Sequence, residues 1–211
     1  MRLTIYLFVY LLFSFQAWSQ ASSHQRLLDA AELGRSDWVA ELLGQGMDPN
    51  TVDEAGNSLL MIACAFGQRE VVALLVKRGA DTRRRNRAGD SALMVASLKG
   101  HEDLARLIVA NGGEISHPGW TALHYAAYAG HGNVVRYLLG LGADKNARAP
   151  NGYSALMLAA RGGHRDALRE LLYTDAEFDL EGPDGETALS IAAKRSDDAA
   201  VQLLRRAGAV R

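Results

Sequence analysis

The chain has 211 residues, 48% of them hydrophobic and 22% charged, with a formal net charge of −1. A near-neutral balance argues against nucleic acid or an anionic membrane surface as the main partner, since both select strongly basic proteins. A single cysteine, Cys64, excludes an internal disulfide, so stability must come from packing.

The first 21 residues stand apart. Arg2 supplies a minimal positive start, Leu3 to Phe15 is apolar, and small residues follow at Ala17, Ser19 and Ala21. This pattern predicts a secretory signal peptide over 1–21, cleaved after Ser19 or Ala21. The alternative is an uncleaved anchor, but an apolar run of 13 residues falls short of the roughly 20 needed to span a bilayer. No stable membrane insertion is expected after cleavage. Export without disulfides suits a bacterial periplasm, which is the predicted location. Residues 22–211 then form a single domain.

That domain is periodic. Gly56, Gly89, Gly119, Gly152 and Gly185 recur at intervals of 33, 30, 33 and 33 residues. A Ser or Thr follows two positions later (Ser58, Ser91, Thr121, Ser154, Thr187), and a Leu two positions after that. A self-similar period of this length implies a stacked repeat array. In chain order the predicted units are an N-terminal cap (24–52), four full units (53–85, 86–115, 116–148, 149–181) and a C-terminal cap (182–211).

Within each unit the hydroxyl residue suits a helix N-cap. The first helix carries small residues such as Ala63, Ala96 and Ala126, which permit close approach of neighbours. A glycine (Gly67, Gly100, Gly130, Gly163) then breaks the helix. The second helix is rich in Leu and Val at i, i+3, i+4 spacing, as in Val71, Val72, Leu74 and Leu75. The unit at 86–115 is three residues short after Ile115, which predicts a truncated loop between the third and fourth units.

The fullest unit reads Gly119-Trp120-Thr121-Ala122-Leu123-His124-Tyr125-Ala126-Ala127, then Gly130-His131; Gly79-Ala80-Asp81 and Gly142-Ala143-Asp144 close others. These motifs resemble the ankyrin repeat over residues 24–211. The resemblance implies an all-α solenoid of about six helix-turn-helix units with projecting β-hairpin or loop fingers and a concave binding face. It also implies a protein-binding role. The signal-like leader makes the chain similar to short exported ankyrin-repeat proteins of Gram-negative bacteria, a group implied to support envelope enzymes such as catalases. One departure is systematic: where the family places His in the first helix, three units carry Met61, Met94 and Met157, and the last carries Ser190.

No catalytic constellation is present. His101, His131 and His164 share one repeat position, and Cys64 has no neighbouring base in the pattern. Ligand spacing for a metal and phosphate-binding glycine motifs are both missing from the pattern. A non-enzyme without cofactor, a monomer, is expected. Its partner would be a protein held on the concave face, to which repeat position assigns Phe66, Leu98, Trp120, Tyr128, Tyr153 and Arg161, with a basic finger at Arg84, Arg85 and Arg87. Aromatic and Arg side chains are the usual anchors of interfaces. Acidic residues at the far end, among them Glu177, Glu181 and Glu186, predict fingers running from positive to negative. Two roles suit such a module: an adaptor for a periplasmic protein, or an immunity protein that neutralises a toxin delivered there.

Overall fold

The computed structural model describes residues 22–174 and 177–210. The predicted signal peptide, 1–21, lies outside the described residues. Those residues form twelve helices in six antiparallel pairs: α1 (Ser23–Glu32) with α2 (Ser36–Gly44), α3 (Leu59–Ala65) with α4 (Arg69–Lys77), α5 (Ala92–Lys99) with α6 (Glu102–Ala110), α7 (Ala122–Ala129) with α8 (Gly132–Gly140), α9 (Ala155–Gly162) with α10 (Arg165–Leu172), and α11 (Ala188–Lys194) with α12 (Asp198–Ala207). Each odd-numbered helix packs on the next odd-numbered helix, and each even-numbered one on the next even-numbered. The result is two stacked rows, the solenoid implied by the period.

Helices of 7 to 10 residues are too short to persist alone in water. Their ends are therefore tied down, and their faces are buried by neighbours. Ser58, Ser91, Thr121, Ser154 and Thr187 each accept the backbone N–H three residues on, at 3.3–3.4 Å. A cap of this kind contributes about 1 kcal/mol. At the far ends of α5, α7 and α9, Gly100, Gly130 and Gly163 sit at φ +76°, +85° and +73°. The core runs unbroken along the stack. Leu60, Leu93 and Leu123 on the first row are at most 1% exposed, as are Leu75, Ile108 and Leu138 on the second.

Between pairs the chain projects as fingers. Asp53, Asn86, Ala149 and Gly182 each donate their amide to the carbonyl four residues on, at 2.7–3.0 Å. Isolated antiparallel bridges close three of these turns: Val52 to Ser58, Arg85 to Ser91 and Arg148 to Ser154. The segment from Gly113 to Thr121, short by three residues, makes neither the bridge nor the corresponding bond from Ser116. The finger between the third and fourth helix pairs is thus reduced to an irregular turn.

Candidate functional site

The face expected to be concave is formed by the first-row helices and the bases of the fingers, and two grooves on it involve the expected site residues. The first, of about 630 Å³, lies between α1, the finger at 53–57 and α3. Leu28, Met61, Ile62, Ala65, Phe66 and Val95 are its apolar lining. Asp29, Glu32, Asp53 and Glu54 also line it, with no lysine or arginine among the lining residues. Asp53 is occupied internally, accepting the amides of Ala55 and Asn57 at 2.9 and 2.8 Å. Asp29 accepts the amide group of Gln25 at 2.7 Å.

The second groove, of about 580 Å³, is lined by Trp120, Tyr125, Tyr128, Asn151, Leu158 and Arg161. Trp120 is half-buried. Its ring meets His124 edge-on at 5.9 Å and lies 5.5 Å from Tyr125. Tyr125, which the repeat pattern did not single out, donates its hydroxyl to Asp90 of the preceding pair at 2.5 Å. Burial raises the Tyr125 pKa well above the usual range, and the Asp90 carboxylate adds to the effect. Tyr128 is open to solvent, 57% exposed, as is Phe66 at 54% in the first groove. The expected aromatic cluster is therefore split between two sites.

Several expected site residues are placed differently by the structure. Tyr153 is not an exposed anchor. It is 8% exposed, donates its hydroxyl to Glu186, and lies 5.2 Å beneath the guanidinium of Arg161. That contact leaves Arg161 itself at the surface. Leu98 is half-buried, and its carbonyl oxygen accepts His131 Nε2–H at 3.0 Å.

The basic finger divides in the same way. Arg85 turns along the stack to Glu114 at 2.9 Å and to the carbonyl oxygen of Gly89 at 2.9 Å. Arg84 and Arg87 remain exposed. The expected positive-to-negative run of fingers has partners at its far end and acidic company at its near end. Glu186 at the far end is engaged by Tyr153 and Lys194, and Asp29, Glu32 and Glu54 place negative charge at the near end too. The exposed arginines stand between two acidic regions.

The remaining titratable groups act in the architecture. His124 donates Nε2–H to the carbonyl oxygen of Ala147 in the next unit at 2.9 Å, and its Nδ1 accepts the Thr121 amide at 3.2 Å. Those two bonds require the neutral ring, and burial lowers its pKa against the opposing pull of the Ala147 bond and Asp144. Burial pushes the Cys64 thiol far above its usual range, with Asp103 adding to the shift, which makes it a poor nucleophile. Among the described residues no group of three or more His, Cys, Asp or Glu is arranged to hold a metal. No helix among them is long and apolar enough to cross a membrane.

Comparison with known proteins supports this architecture. The family model "Ankyrin repeats (3 copies)" matches residues 27–118, 89–149 and 141–210. Similar solved structures include the human ASB11 ankyrin repeat domain, with 25% identity, a TM-score of 0.82, and coverage of 87% of this chain and 84% of that one. Another is an ankyrin repeat domain, ABAYE2397, from Acinetobacter baumannii AYE, with 28% identity, a TM-score of 0.77, and coverage of 88% and 98%. A search of curated proteins returned no match.

Proposed function

The chain belongs to the ankyrin-repeat family, and from that premise we propose that it is an exported, non-enzymatic adaptor that holds a folded protein on its concave face. Ankyrin repeats are protein–protein interaction modules, and that much describes the chain directly. The finer reading, a periplasmic adaptor or stabiliser of an envelope enzyme such as a catalase, draws on the leader pattern at residues 1–21.

The observation that carries the binding reading is the exposure of Phe66 and Tyr128, each beside a groove on the same face. Large apolar side chains left open next to a concavity mark a place where a partner excludes water. Both could be removed without opening the core.

The test is affinity capture with the tagged full-length chain in its native host, after separation of periplasmic from cytoplasmic contents. The adaptor reading expects the chain in the periplasmic fraction. It also expects a protein retained by the wild type and lost with the Phe66→Ala plus Tyr128→Ala variant. Retention of the same proteins by both baits, or recovery of the chain only from the cytoplasm, would overturn it.

A further inference from the structure

We infer that the groove between α1 and α3 is a docking site for a cationic, apolar-bearing segment of a partner protein, one in which Arg or Lys residues flank a large hydrophobic side chain. The inference rests on the adaptor reading and specifies which chemistry the N-terminal half of the face selects.

Charge is the first argument. Elsewhere the protein satisfies many of its acids internally: Asp103 with Arg69, Glu114 with Arg85, Glu170 with Arg136, and Asp197 with Arg165, all at 2.7–2.9 Å. In this groove Glu32 and Glu54 are exposed, and their carboxylates make no hydrogen bond or ion pair among the described residues. Asp29 and Asp53 add negative charge behind them, and no Lys or Arg lines the site. Of the basic finger, Arg87 meets the groove's rim only through its backbone, whose amide donates to the carbonyl oxygen of Ala55 at 3.2 Å.

Shape and polarity supply the second argument. Leu28, Met61, Ile62 and Phe66 line the same groove as those carboxylates. An anionic or purely polar segment would bring like charge to Glu32 and Glu54 or leave Phe66 wet. A cationic segment with one apolar anchor satisfies both features at once, since like-charge contact is excluded and opposite charge steers the encounter. The second groove has the contrary character, with aromatic walls and Arg161, so the two halves of the face do not compete for the same chemistry.

The probe is a short fluorescent peptide alternating Arg with Leu around one Phe, compared with a twin bearing Glu at every Arg position. Anisotropy titrations are expected to give the Arg peptide at least about tenfold tighter binding than its twin, weakening with added salt. The Glu32→Gln plus Glu54→Gln variant should bind the Arg peptide about tenfold more weakly with an unchanged thermal melt, because both positions are exposed. Phe66→Ala should weaken it as well, whereas Tyr128→Ala should not. Equal binding of the two peptides, no binding of the Arg peptide, or full binding by the Gln variant would each overturn the inference. The adaptor reading fails separately. A captured partner that depends on Phe66 and Tyr128 but ignores the Glu32 and Glu54 substitutions would leave the adaptor standing and remove the groove's charge preference.

Discussion

The imidazole of His131 fills the space over Gly100. A Cβ on that glycine would lie 2.5 Å from Nδ1 of the ring, whose Nε2–H reaches the carbonyl oxygen of Leu98 at 3.0 Å. The same overlap joins Gly130 to His164 at 2.5 Å and Gly67 to His101 at 3.0 Å. At the N-terminal end Gln68 covers Gly34 and donates to the carbonyl oxygen of Glu32 at 2.8 Å. Each helix break is thus roofed by a side chain of the following unit, so the glycine serves both the turn and the stack.

These two demands can be separated. Gly79 has φ +79° and nothing within 4 Å of a Cβ, whereas Gly100 has φ +76° and His131 above it. Gly79→Ala should cost about 1–2 kcal/mol for the left-handed backbone alone. Gly100→Ala should cost about 1–3 kcal/mol more through overpacking. Urea unfolding of both variants measures the difference, and equal losses would mean the histidine yields freely.

His124 gives a pH dependence whose sign follows from its burial. The unfolded ring titrates near its ordinary value of 6.5, while the folded ring has a lowered pKa. Below pH 6.5 the unfolded state therefore binds more protons, and stability falls as the pH drops until the folded ring also titrates. His124→Met places there the residue already used at Met61, Met94 and Met157. Melting temperatures between pH 7 and about 5, above the range of ordinary carboxylates, should decline less steeply in that variant than in the wild type.

Leu123, at 1% exposure in the middle of the first row, should lose about 2–5 kcal/mol as Leu123→Ala through the cavity left behind. A loss below about 1 kcal/mol in denaturant titration would contradict the packing described for α7.

Two tyrosines on one face should behave oppositely. Tyr128→Ala removes an exposed ring and should leave the unfolding midpoint unchanged while weakening partner retention. Tyr153→Ala uncovers a site tied to Glu186 and roofed by Arg161, so its midpoint should drop. A circular-dichroism melt of each variant makes the comparison.

These residues also show where the sequence stops being informative. The helices and caps were legible because Ser or Thr, the small first-row residues and the breaking glycine all repeat at one period. The loss of a finger was legible from three missing residues. Tyr153, however, holds the repeat position of Trp120, and its burial comes from Glu186 and Arg161, which lie 33 and 8 positions away. Arg84 and Arg85 are chemically identical neighbours, and Glu114 across the interface separates their roles. The acidic groove escaped notice because Glu32 and Glu54 come from different units, and only stacking brings them beside Phe66. Local pattern sets the elements; side-chain partners one repeat away set exposure.

The turn at 113–121 breaks the monotony of the stack. The side chains of the two grooves differ, but the backbone of the fingers repeats from unit to unit, and a contact that read the fingers alone could slide by one period. A single missing tooth in the row of fingers marks one position as unlike every other. A contact that reads the fingers has there one junction from which to count.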